Sequence, residues 1–147
     1  MTGCGYPDPV TAGYSLLRAR DAFWRPSGAM ELPNTNLAAQ LDAEHLAARF
    51  WRLPPGSAST KHVHTREEEL YVLLSGTGRM RIGDEVLTLE TLDAVLVRPG
   101  VTRQVFNDTE AEALWLMVGA PPGRLEDVAY PEGKARLPPE LGGGLLD

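Results

Sequence analysis

His62 and His64 stand two residues apart, and Glu69 follows five positions after His64. On an extended chain, side chains two apart point to the same face, so both imidazoles can enter one cavity. Two neutral imidazoles and one carboxylate on one side of a cavity form the facial triad that suits non-haem iron and related divalent metals. The odd offset from His64 to Glu69 means that one continuous strand cannot aim all three groups inward. A turn through Thr65, Arg66 and Glu67 resets the phase, so the spacing predicts two strands meeting at the site. Tyr71 and Leu73 share a face with Glu69 on a regular strand and are candidates for the cavity wall, with Tyr71 either a proton donor or a core residue. Glu67 and Glu68 read as solvated turn charges, with Glu68 the reserve ligand if the turn is one residue shorter. His45 lies outside this segment and reads as a surface residue.

The elements that must position these groups are short and apolar. Leu70–Leu74 is an apolar run ended by Ser75-Gly76, the pattern of a buried strand. Arg79–Ile82 alternates, turns at Gly83-Asp84 and continues in Val86–Leu89, which is a hairpin signature. Ala94–Val97, Gln104–Phe106 and Ala113–Val118 supply further strands. Leu46–Leu53 holds alanines that favour helix, but Phe50-Trp51 and the stop at Pro54-Pro55-Gly56 favour a strand. A short helical turn is expected over Asn36–Asp42, with Asn34 and Asn36 as capping candidates. Short strands at spacings near ten residues point to a sandwich or barrel. Residues 1–33 read as an irregular arm with one extended stretch at Tyr14–Arg18, residues 34–120 as the barrel, and residues 121–147 as a Pro/Gly-rich tail.

The segment containing the two histidines resembles the first motif of the cupin superfamily at Gly56, His62, His64, Glu69 and Gly76, a span of 21 residues. Asp93, Pro99, Gly100 and Asn107 are similar to the second motif, with Pro99 displaced by one position. The resemblance covers roughly residues 46–120. It implies a small all-β protein, an antiparallel jelly-roll (double-stranded β-helix) barrel with the site inside, and pairing as a homodimer. The metal ligands it implies are His62, His64 and Glu69, for a divalent ion such as Fe, Mn, Ni or Zn.

One position departs from that pattern. The fourth ligand is usually a His four residues before the Asn, and here it is Arg103. A guanidinium has no acceptor and stays protonated. Held about 5 Å from a dication, it would repel the ion by about 6–7 kcal/mol at an effective dielectric of about 20. Three arrangements follow. Arg103 turns away and water or Gln104 completes the metal site; Arg103 pairs with Glu69, leaving a hydrogen-bonded histidine pair and no metal; or Arg103 binds a substrate carboxylate or phosphate.

Composition narrows the partners. The chain of 147 residues suits one domain. With 14 Lys and Arg against 20 Asp and Glu, its net charge of −6 disfavours nucleic acid and anionic membranes as partners. Gly 15 and Pro 12 exceed ordinary usage and suit a turn-rich β fold. Cys4 is the one cysteine, so an internal disulfide is excluded. No basic start leads into an apolar run, and a cytoplasmic location is expected. The Asn107-Asp108-Thr109 sequon is then silent. Phe50, Trp51 and Trp115 are expected in the core or at a dimer interface, with Trp24 a further candidate anchor for a dimer. Two function classes remain: a metal enzyme acting on a small polar molecule (an oxygenase, isomerase or decarboxylase), or a non-catalytic barrel that binds or senses a small molecule or anion.

Overall fold

The computed structural model describes residues 12–28 and 31–131. Cys4, Pro7, Pro9 and the Gly142–Gly144 run lie outside the described residues. The strands are β1 (Arg25–Pro26), β2 (Pro33–Asn36), β3 (Ala47–Leu53), β4 (Ser57–Ala58), β5 (Val63–His64) and β6 (Glu68–Ser75). They continue with β7 (Gly78–Ile82), β8 (Glu85–Leu89), β9 (Ala94–Val97), β10 (Arg103–Asn107), β11 (Ala113–Ala120) and β12 (Val128–Ala129). A six-stranded sheet in the order β1-β2-β3-β11-β6-β9 faces a four-stranded sheet, β4-β10-β7-β8, and a two-stranded ribbon joins β12 to β5. Every pairing is antiparallel. The fold is the expected antiparallel jelly-roll barrel.

Three inward-facing rows cross the large sheet and set out the interior. Trp51, Trp115 and Leu73 align across β3, β11 and β6; Arg49, Met117 and Tyr71 form the next row, and Ala47, Gly119 and Glu69 the third. The first row is the packed end of the barrel, where Trp115 and Leu73 are fully buried with Leu53 and Met80. Tyr71 meets the Trp115 ring edge-on at 6.2 Å between centroids, a favourable aromatic geometry. The third row opens into the site. Gly76, at φ 82, ends β6 in the left-handed region, and a Cβ there would lie 2.4 Å from the Glu112 carbonyl oxygen.

Capping follows one of the two candidates. Asn36 accepts the Ala39 N–H at 3.0 Å and starts a helix over Leu37–Gln40. Asn34 is instead a buried residue of β2. Asn107 closes the barrel: its amide donates to Leu53 O and Ala111 O, both at 2.8 Å, and its Oδ1 accepts from the Thr109 N–H. That side chain is fully buried, so the sequon is closed to modification in the folded chain. Trp24 stacks on Phe50 at 6.5 Å, with the Arg52 guanidinium 4.7 Å over the Trp24 ring.

The ends of the barrel are more ordered than the sequence suggests. Tyr14–Arg18 forms no strand and leads into a single 3-10 turn, Ala19–Asp21, but Arg25–Pro26 pairs with β2 and extends the sheet into the supposed arm. Beyond residue 120, Val128–Ala129 returns as a strand against Val63–His64. No helix among the described residues is long and apolar enough to cross a membrane.

Candidate metal centre

The two ligand-bearing stretches are anchored separately. His62 exchanges both backbone hydrogen bonds with Arg103, at 3.0 and 2.9 Å. His64 lies on β5, its carbonyl accepting from the Gly100 N–H at 2.8 Å. After the turn at residues 65–67, Glu69 is held in β6 between Gly119 and Val97. Candidate ligand atoms of His62, His64 and Glu69 thereby lie within 4.8 Å of one another. Glu69 Oε1 is 3.9 Å from His62 Nε2 and 3.6 Å from His64 Nε2. The two rings stand perpendicular, 4.9 Å apart.

Hydrogen bonding prepares this cluster for a cation. His62 Nδ1 lies 3.0 Å from Thr60 O, and a carbonyl only accepts, so Nδ1 carries a proton and the ring is fixed with Nε2 on the side of Glu69. Burial, reinforced by His62 and Arg103 and only partly opposed by Glu69, lowers the His64 pKa to about 4, so this ring is neutral at physiological pH. Burial raises the Glu69 carboxyl, but the His62 ring and the Tyr71 hydroxyl beside it outweigh that effect and leave it below its usual value. Tyr71 donates its O–H to Glu69 Oε1. Burial and the Glu69 charge push the phenol well above its usual range, so it remains a donor. The donor set of two imidazoles, the one on His64 neutral, and a carboxylate held below its usual pKa fits a divalent metal.

Glu67 corrects the sequence reading. It is not a solvated turn charge but a side chain only 4% exposed, with Oε1 3.8 Å from His64 Nε2. Its Oε2 accepts the Gly123 N–H at 2.7 Å. Glycine makes this approach possible, since a Cβ on Gly119 would lie 2.3 Å from Glu67 Oε1. Burial, partly opposed by that N–H and reinforced by the Glu69 charge, raises the Glu67 pKa. Glu68 points outward and is exposed, as is His45. Leu73 belongs to the core beneath the cavity.

Arg103 takes none of the simplest roles. Opposite His62 in register, it shares that residue's inward face and is fully buried. Its Nη2 donates to Arg98 O at 3.2 Å and to Val97 O at 3.5 Å, while Nε and Nη1 have no partner. The ion pairs of Glu69 among the described residues go to the two histidines, so the arrangement in which Arg103 pairs with Glu69 does not form. Gln104 does not reach the fourth corner either. As the next residue of β10 it faces the other way, and its Nε2 donates to Ser59 O at 2.9 Å.

Above the cluster lies a cavity of about 410 Å³. His62, His64, Glu67, Glu69 and Tyr71 line its polar end, and Trp51, Leu53, Val105 and Met117 its apolar wall. Arg49 also faces it, and the segment after β11 roofs it with Gly123, Arg124, Leu125, Val128 and Tyr130.

The family model described as Cupin domain matches residues 49–119. Residues 49–119 form a cupin domain. Among curated proteins, none matches the sequence. The cupin fold recurs in a sugar phosphate isomerase of the cupin superfamily from Silicibacter pomeroyi, at 19% identity and a TM-score of 0.71, covering 82% of this chain and 84% of that one. A predicted oxalate decarboxylase from Thermotoga maritima is similar at 19% identity and a TM-score of 0.65, covering 73% and 99%. A cupin protein from Bacteroides fragilis is similar at 22% and 0.62, covering 76% and 87%. At these identities the likeness concerns the fold. Cupins often bind divalent metals, and the His62–His64–Glu69 group is of a kind that can hold one.

Proposed function

We propose that this cupin holds one divalent ion, of the Fe, Mn, Ni or Zn class, on His62, His64 and Glu69, and acts on a small polar molecule in the cavity beside it. The convergence of three ligand atoms within 4.8 Å of one another carries the reading. The Thr60 carbonyl, which holds the His62 ring by Nδ1 and leaves Nε2 on the side of Glu69, supports it. When bound, the metal would supply Lewis-acid or redox chemistry. The chain's own groups do the rest. The Tyr71 hydroxyl orients the Glu69 carboxylate. Glu67 keeps a carboxyl of raised pKa beside His64, where it can hold a proton at Oε1. The segment carrying Gly123 and Val128 closes one side of the cavity. The neighbouring folds include a sugar phosphate isomerase and a predicted oxalate decarboxylase, which favours isomerase or decarboxylase chemistry for this cavity over the oxygenase class.

The test is metal uptake by protein purified without a His-tag and incubated with Fe(II), Mn(II), Ni(II) or Zn(II). One ion per chain is expected, and His64→Ala should abolish stoichiometric binding. If the wild-type protein takes up no ion but Arg103→His does, Arg103 has replaced the metal and the cavity is a non-catalytic anion site.

A homodimer is part of the proposal. The outer face of the large sheet is apolar across four strands, with Phe50, Leu116 and Val72 in one row and Val118, Leu70 and Leu96 in the next. Leu70 is 36% and Leu96 41% exposed. A second copy laid on this face would cover both rows. Light scattering should give twice the chain mass at micromolar concentration; a monomer would overturn the proposal.

A further inference from the structure

Arg49 is a cation in an expensive place. It stands in the middle inward row of the large sheet, in register with Met117 and Tyr71, and its side chain lines the cavity. A guanidinium offers five donors, and among the described residues one of them is used: Nη1 donates to Asn34 Oδ1 at 2.7 Å. No carboxylate pairs with it among the described residues. Burial, and then the like charge of Arg25, lower its pKa, so the fold holds this cation against both effects.

The support behind Arg49 is built rather than incidental. Asn34 is 2% exposed, and its amide nitrogen donates to Arg25 O at 3.2 Å and Leu32 O at 3.3 Å. Those two carbonyls fix the amide so that Oδ1 must face Arg49. A neutral acceptor thus orients the guanidinium without cancelling its charge. The cavity lining carries Arg49 and Arg124 against Glu67 and Glu69, so a dication on the histidine cluster leaves an excess of positive charge. Two strand spacings, about 10 Å, separate the Arg49 and Tyr71 backbones. A small molecule can therefore touch both the guanidinium and the His62–His64–Glu69 cluster.

We propose that Arg49 is the specificity residue of this cavity and binds the oxyanion, carboxylate or phosphate, of a small anionic substrate whose other end faces His62, His64 and Glu69. The inference deepens the proposed function and rests on its reading of the cavity as a ligand site. The guanidinium fork suits either oxyanion with two parallel hydrogen bonds.

Calorimetric titration with inorganic phosphate and with malonate separates the two sources. It is run on protein stripped of metal and dialysed, then repeated after metal loading. Wild-type protein should bind at least one of the anions at one per chain, and the preferred anion names the source. Arg49→Gln should weaken that binding at least tenfold, and Arg49→Lys should give an intermediate loss, because it keeps the charge and discards the fork. Asn34→Asp should also weaken it at least tenfold by giving Arg49 an internal counter-ion. Metal stoichiometry should be unchanged in all three variants. Equal anion affinity in Arg49→Gln and wild type overturns the proposal, as does the absence of one-to-one binding of both anions to the wild type in both states. Should Arg49→Gln fail to fold, Arg49→Lys decides: affinity equal to wild type then overturns it. Failure of the metal reading would appear separately, as loss of metal uptake by the wild type, and leaves the comparison on metal-free protein intact.

Discussion

Replacing Arg103 by Met measures how strongly a buried guanidinium opposes a cation at the histidine cluster. Arg103 and His62 are directly opposed in register, so their Cβ atoms are about 5 Å apart. A charge-to-charge distance of about 7 Å and an effective dielectric of about 20 give a repulsion of about 5 kcal/mol with a dication. That value is a ceiling, because Nη2 is drawn towards the Arg98 and Val97 carbonyls and water reaches the cavity. Even about a third of it exceeds the ~1.4 kcal/mol of a tenfold change in dissociation constant. Arg103→Met should therefore bind Zn(II) or Mn(II) at least tenfold more tightly than wild type in a chelator-competition titration at pH 7.5. Arg103→His should go further, since it removes the charge and adds an imidazole. Melting in EDTA provides the control: the substitution leaves two carbonyls without their donor, at about 1–3 kcal/mol each if they stay dry, offset by the release of a buried cation. A folded Arg103→Met protein with a metal dissociation constant within twofold of wild type would refute the reasoning, because the charge would then not reach the site.

Other perturbations give equally definite signs. Folded His64 titrates near 4 and unfolded histidine near 6.5, so the unfolded chain alone takes up this proton in between, and metal-free stability must fall as pH drops from about 6.5 to about 4. The full shift corresponds to about 3 kcal/mol, which solvent at the cavity mouth reduces to on the order of 1–2 kcal/mol; urea denaturation at pH 7, 5.5 and 4.5 should show this slope, and His64→Gln should flatten it. Tyr71→Phe removes the donor to Glu69 Oε1, should cost about 1–2 kcal/mol, and should raise the Glu69 carboxyl titration followed by carbon NMR. Glu67→Gln keeps an oxygen for the Gly123 N–H and removes a carboxylate whose folded pKa is raised. Ionising that group in the fold costs stability above its folded pKa, so the variant should melt higher in EDTA at pH 8, by less than about 1 kcal/mol.

The histidine cluster was legible because its residues lie close together in the chain. A two-residue spacing fixes a shared face, and the odd offset to Glu69 demands the turn that separates β5 from β6. The strands from Leu70 to Val118 were legible for a similar reason, since each is a short apolar or alternating run between turn residues. Glu67 was not, because its surroundings come from Gly119 and Gly123, more than fifty residues away, and nothing local distinguishes a covered carboxylate from a solvated one. The pair of glycines flanking Ala120-Pro121-Pro122 was the available signal of a close approach. Arg49 was missed in a stretch whose helix-or-strand ambiguity drew attention instead. Once that stretch is a strand, its alternation with Trp51 and Leu53 turns Arg49 inward. The pairing of Val128–Ala129 with β5 had no local signature in a segment dominated by Pro, Gly and charge.

The ribbon formed by β5 and β12 has a kinetic consequence. Val63 and His64 pair with Ala129 and Val128 rather than with either large sheet, and the Thr65 N–H adds a bond to Asp127 O at 2.8 Å. A two-residue ladder is a weak clasp, and small ladders of this kind open without global unfolding. The amides of Thr65 and of β12 should therefore exchange with deuterium far sooner than those of β6 and β11. Opening of this clasp frees the backbone of His64 while the barrel behind it stays closed.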